Sequence, residues 1–160
     1  MYFICKSEFF TSAKNLFAFH ESPEGFTSLV AAVGGVDVLQ RPISLQIGEV
    51  AILRVPVFPG IKLKWIAKHT AYESGKLFED TQVKGPFLRF VHRHIMRDLP
   101  NGHSILEDRI DLQAPFWFVS RFIVLPILKR QFTQRHRITA QALDCPHHLM
   151  FCGYSSTVVD

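Results

Sequence analysis

The sequence predicts an α+β fold in which one curved antiparallel sheet wraps around a long C-terminal helix, with two short helices after the first strand. Three observations carry that expectation. Over residues 36–113 hydrophobicity follows the two-residue period of strands, and over 116–143 it changes to a helical period. No helical segment separates the middle strands, so the crossovers a parallel sheet requires are missing. Ile61, Leu63, Trp65, Ala67 and His69 share one face of their strand while Lys62, Lys64 and Lys68 take the other, the one-side-wet pattern of antiparallel sheets.

The elements follow in order. Residues 2–10 are rich in strand formers and alternate weakly, which reads as a first strand. Thr11 or Ser12 can cap a short helix over 13–20, and Ser22-Pro23-Glu24-Gly25 breaks it before a second one over 26–30. Beyond Gly34-Gly35, strands are expected over 36–39, 49–57, 61–69, 77–84, 87–99 and 104–113, with Pro100-Asn101-Gly102 closing the last hairpin. Pro115 ends this series. In the helix that follows, Phe118, Phe122, Leu125, Leu128, Phe132 and Ile138 fall near one face, and Pro126 predicts a kink or break. Residues 1–143 form one domain, and residues 144–160, which lack periodicity, read as an irregular tail.

Composition narrows the function classes. The chain has 160 residues, 48% hydrophobic and 20% charged, with fifteen phenylalanines, so it can build one aromatic-rich core. A formal charge of +4, without a dense basic stripe, gives no reason to expect a nucleic-acid partner. Three cysteines make no disulfide framework and suit a reducing compartment, and the first ten residues hold no apolar run fit for a signal peptide. The longest apolar run, 114–128, is interrupted by Arg121 and is too short to span a membrane. The expectation is a cytoplasmic protein.

The segment Gly85-Pro86-Phe87-Leu88-Arg89-Phe90-Val91-His92-Arg93-His94 holds the most chemistry. His92 and His94 point to one side of their strand together with Leu88, Phe90 and Met96, while Arg89, Arg93 and Arg97 point to the other. Asp108 shares a face with Ser104, Leu106, Ile110 and Leu112 on the next strand. A two-residue turn at Asn101-Gly102 would pair His94 with Arg109, whereas a three-residue loop or a bulge could pair it with Asp108 or Ile110. The His–Asp set can serve as a structural hydrogen-bonded pair, as a polar anchor for a ligand, or as a general base. A metal site needs a third ligand, which His69 or Asp108 could offer, but nothing in the spacing demands one. Cys145, His147, His148 and Cys152 also lack the paired spacing of a metal motif, so neither metal nor cofactor is expected.

Trp65, Phe78, Asp80, Gly85-Pro86-Phe87, His92-Arg93-His94, Asp108 and the 132–135 stretch, in this order of elements, resemble the START/Bet v 1-like (SRPBCC) superfamily. Within it the chain is most similar to the bacterial polyketide cyclase/dehydrase-like, ligand-binding branch. The resemblance covers residues 2–143 and departs at Phe90, where a tryptophan is common, and at 22–28, where a Pro-rich apolar loop is common. It implies a helix-grip fold with a hydrophobic pocket between sheet and helix. Members bind lipids, sterols or polyketides, and a minority catalyse cyclisation or dehydration.

The reading that joins these lines is a protein binding an apolar, lipid-like small molecule. Trp65, Phe78, Phe90, Phe118 and Phe122 would supply the walls, and His92, His94 and Asp108 would orient a polar group. Binding is preferred to catalysis. The enzymatic alternative is a cyclase or dehydratase using His92 or His94 with Asp108. A third is a lipid-transfer module touching a membrane surface through the basic helix end at Arg130, Arg135 and Arg137. No feature of the sequence addresses the oligomeric state.

Overall fold

The structure is a computed structural model describing residues 2–155, the side chains of Trp117 and Val119 excepted. The order is β1 (Tyr2–Phe9), α1 (Ala13–Glu21), α2 (Pro23–Ala31), β2 (Asp37–Gln40), β3 (Val50–Phe58), β4 (Ile61–Glu73), β5 (Leu77–Lys84), β6 (Arg89–Asp98), β7 (Ser104–Gln113), α3 (Trp117–Ala142) and β8 (His147–Ser155). All eight strands join one antiparallel sheet, β2-β3-β4-β5-β6-β7-β1-β8. The α+β helix-grip expectation holds.

Local chemistry sets the elements. Ser12 caps α1, its Oγ accepting from the Asn15 N–H at 3.3 Å. Ser22 closes α1 and caps α2 at once: its N–H bonds the carbonyl of Ala18, and its Oγ accepts from the Gly25 N–H at 2.9 Å, with Pro23 opening the new helix. A Cβ at Gly25 would lie 1.8 Å from the Phe19 carbonyl oxygen, so the tight α1–α2 corner requires glycine there. The β6–β7 loop closes with Leu99 N–H on the His103 carbonyl and Gly102 at φ 81°. This is the three-residue alternative, and it sets His94 opposite Asp108. Helix α3 continues through Pro126 without a break.

The concave face buries two apolar clusters. One gathers Phe9, Leu16, Phe17, Leu45, Phe78, Met96, Leu106 and Ala140; the other gathers Phe3, Cys5, Phe90, Ile110, Leu112, Leu128 and Phe132. In the register, Ser7, Asp108, His92 and His94 fall between them as a polar layer. The convex face carries ion pairs instead, Arg93–Glu79 at 2.5 Å and Arg109–Glu107 at 2.7 Å among them. No helix among the described residues is long and apolar enough to cross a membrane.

Two expectations are corrected. The tail is not irregular through 147–155: β8 pairs along the whole of β1, with Cys152 opposite Cys5 and both thiols free. Its period is hidden by a bulge at Lys6/Ser7 that leaves Met150 without a partner in β1 and exchanges the faces beyond it. Phe118 and Phe122 do not line the interior; they are 71% and 70% exposed, as are Phe116 and Ile123 nearby. They lie on the expected side of the helix but in its first turns. The packed stripe is Leu128, Phe132, His136 and Ala140, and α3 rests mainly on β8, β1 and α2.

A chain ending at residue 143 should therefore lose far more than a loose tail. Without β8, the β1 edge and the underside of α3 are bare. The expected result is a melting temperature lower by at least ~10 °C or aggregation; unchanged melting would contradict the role given to β8.

Candidate functional site

The polar layer is organised by Asp108, which is 1% exposed. Its Oδ1 accepts from His92 Nε2 at 2.9 Å and has His94 Nδ1 at 2.8 Å, off the line of a straight hydrogen bond. Its Oδ2 accepts from His136 Nε2 at 2.8 Å, and His136 Nδ1 accepts from Ser7 Oγ at 2.7 Å. Four elements thus meet at one carboxylate: β1 through Ser7, β6 through both histidines, β7, and α3 through His136. Packing fixes the rings. Phe78 stacks on His94 with centroids 3.9 Å apart and planes 12° apart, and Phe132 sets its ring perpendicular to His92 at 5.1 Å.

The far edges of His92 and His94 face Asp80 on β5, directly opposite His92 in the register. Asp80 Oδ2 lies 3.4 Å from His92 Nδ1 and 3.6 Å from His94 Nε2. Its side chain is 20% exposed, against 6% and 4% for the two histidines, so Asp80 marks the open side of the cluster. Across from it on β4 stands His69, 6% exposed, with Nδ1 buried and without a hydrogen-bond partner. His20 of α1 donates from Nδ1 to the Leu16 carbonyl and leans against His94 at 5.7 Å.

These contacts divide the protons. Burial opposes charge on Asp108, but His94 and the bonds from His136 and His92 hold its carboxyl well below the usual range. Burial likewise opposes charge on Asp80, and the imidazoles of His92 and His94 outweigh it, again lowering the carboxyl. Burial would lower His92, yet its contacts with Asp108 and Asp80 raise it. Burial and the charge of His92 lower His94, and burial pushes His20 down to about 3. Charge is thus favoured on His92 over His94. The Ser7–His136–Asp108 chain has the connectivity of a nucleophilic triad, but Ser7 is wholly buried, which makes this limb a tie between β1, α3 and β7.

Beside the cluster, Trp65 meets Phe90 edge-on at 4.9 Å and Phe87 at 5.7 Å. The Gly85-Pro86-Phe87 turn positions Phe87 there, held by Gln82 Nε2 donating to the Phe87 carbonyl at 2.8 Å. Along the inward row of β4, exposure rises from His69 and Ala67 (8%) through half-buried Trp65 to Leu63 (41%) and Ile61 (54%). The inward apolar row thus emerges from the core toward the β3–β4 end of the sheet. Two other hollows are present: one of about 340 Å³ bounded by His20, Pro23, Phe26, Pro42 and Leu45, and one of about 490 Å³ at Arg54, Phe58 and Ile61.

Of the eight residues expected at the site, the structure brings together Trp65, Phe78, Phe90, His92, His94 and Asp108, and leaves Phe118 and Phe122 outside. It adds Asp80, Ser7, His69, His20 and His136. A sequence signal existed for His136, which continues the Leu128–Phe132 stripe by one step of four, and for Ser7, which lies on the inward row with Phe3, Cys5 and Phe9.

Asp108→Asn tests the hub. An amide offers one acceptor and turns N–H groups toward imidazole donors, leaving buried partners unsatisfied. Unfolding stability should fall by ~3–5 kcal/mol in a urea titration; a change within ~1 kcal/mol would contradict the assignment.

No family model and no curated protein matches the sequence. Solved structures do match in shape. The Thermus thermophilus protein TTHA0849 superposes with a TM-score of 0.65 at 9% identity, over 89% of this chain and 99% of that one. Ara h 8.0201 gives 0.61 at 14% identity, over 90% and 98%. A nucleoside-diphosphate sugar epimerase from Corynebacterium glutamicum gives 0.63 at 18% identity, over 88% of this chain but 29% of the epimerase. Identities this low establish the architecture alone: the chain shares the helix-grip fold of these structures.

Proposed function

We propose that this protein binds an apolar small molecule carrying one polar group, in the groove at the β3–β4 end of the concave face. The observation that carries the reading is the inward row of β4. Its apolar residues emerge progressively from the core and lead down, past the Trp65–Phe87–Phe90 aromatic cluster, to the partly open Asp80–His92 edge. Apolar walls converging on a few fixed polar groups are the usual composition of a small-molecule site. The inner wall belongs to Trp65, Phe87 and Phe90.

The polar end would be met by the Asp80 carboxylate as acceptor, beside His92 Nδ1. A cyclase or dehydratase activity is the second reading, favoured by one feature: burial and the nearby His92 disfavour charge on His94, which stands 2.8 Å from a carboxylate, and a base must be neutral. His94 is 3% exposed, however, so a substrate would reach it only past Asp80.

Thermal shift checks the binding reading with probes of graded size, from medium-chain fatty alcohols to naphthols and sterols. A ligand at 100 times its Kd adds ~2.7 kcal/mol to stability, a rise in Tm of several degrees. Leu63→Glu, at a position already 41% exposed, should leave the unliganded melt unchanged and remove most of that rise. No shift with any probe, or a shift indifferent to Leu63→Glu, would overturn the proposal.

A further inference from the structure

The open edge of the polar layer has a geometry that hydrogen bonding does not explain. Asp108 accepts from His92 Nε2 at 2.9 Å and lies 2.8 Å from His94 Nδ1, so both rings turn those nitrogens toward it. With both rings neutral, as metal binding requires, the opposite nitrogens, His92 Nδ1 and His94 Nε2, present lone pairs toward Asp80 Oδ2. Three acceptor atoms converge, all within 4.8 Å of one another. At 3.4 and 3.6 Å the carboxylate stands outside the roughly 2.7–3.2 Å of a well-formed N–H···O bond to either nitrogen. Either a proton or a cation can relieve that convergence, and the distances favour the cation. Zinc holds nitrogen and oxygen at roughly 2.0–2.2 Å, so two ligands at a tetrahedral angle stand roughly 3.3–3.5 Å apart.

We propose that Asp80, His92 and His94 bind a divalent transition-metal ion of zinc type, through Asp80 Oδ2, His92 Nδ1 and His94 Nε2. Asp108 is the outer carboxylate that orients both imidazoles, the carboxylate–histidine–metal arrangement that fixes tautomers at such sites. Two further observations point the same way. His69, paired with Asp80 in the register and more than nine-tenths buried, keeps its Nδ1 without a hydrogen-bond partner beside the triad. Asp80 is also the least buried member of the triad, its side chain 20% exposed, so the three atoms lie at the open edge of the cluster. The sequence alone assigned no metal, because the third ligand comes from β5, fourteen residues before His94. The proposal does not depend on the apolar-ligand reading, since metal affinity and ligand-induced melting shifts are measured separately.

The test uses the untagged full chain, stripped with chelator and titrated with Zn²⁺ and with Co²⁺. One ion per chain is expected, with Co²⁺ giving the intense visible bands of a tetrahedral site. Asp80→Asn should weaken binding by at least 100-fold, while Asp80→Cys, which supplies a zinc-competent thiolate, should retain it. His147→Gln combined with His148→Gln, which removes the β8 histidines, should leave affinity unchanged. Long-range ¹⁵N spectra of the loaded wild-type chain read the attachment atoms directly, whatever the variants' folding: His92 through Nδ1 and His94 through Nε2. No ion bound at 100 µM Zn²⁺, coordination through other nitrogens, or affinity indifferent to Asp80→Asn would overturn the assignment.

Discussion

The buried carboxylate of Asp108 is the constraint on which the interior depends. An unpaired charge at that depth would cost several kcal/mol, and every group around it answers that cost. His136 ties it to α3 and, through Ser7, to β1; His92 ties it to β6; His94 closes against it under the Phe78 ring. The C-terminal half of α3 is held by this polar knot as well as by Leu128, Phe132 and Ala140 packing on either side of it. The N-terminal half has no such anchor. Its phenylalanines stand in solvent, and the helix begins at Phe116 in a left-handed conformation (φ 49°) without a side-chain cap.

A polar layer between two apolar clusters is not the most stable way to fill a grip. Apolar residues of similar volume in its place are often neutral or stabilising. Half of the layer is accounted for by structure: Ser7, His136 and Asp108 are fully enclosed and bind elements to one another. The other half is not. Asp80, His69 and the outer nitrogens of His92 and His94 add little cohesion, yet they sit together at the place where the concave face opens. That asymmetry separates the scaffold from the site.

Much of the scaffold was legible in the sequence because alternation and helical period report one-sided burial directly. Ile61 to His69 announced its inward row, and His92, His94 and Asp108 were assigned their face correctly. The hairpin register depends on the Leu99–His103 closure around Pro100-Asn101-Gly102, which alternation does not report. Three things were hidden for physical reasons. The β8 strand lost its period to a bulge. Phe118 and Phe122 obeyed the helical pattern but ran past the surface that would cover them. Asp80 and His69 sit on separate strands, and only the β4–β5–β6 register lines them up with His92. Periodicity reports which way a side chain points; it carries no information on what stands across the sheet.

The central claim is that the open half of the grip holds a small molecule over this polar floor. Native mass spectrometry of the chain expressed in cells and purified without detergent tests it most directly. A folded mass exceeding the chain by a few hundred daltons, lost on denaturation and absent in Leu63→Glu, is the predicted result. A folded mass equal to that of the chain with at most a metal ion, unchanged after incubation with apolar probes, would contradict it.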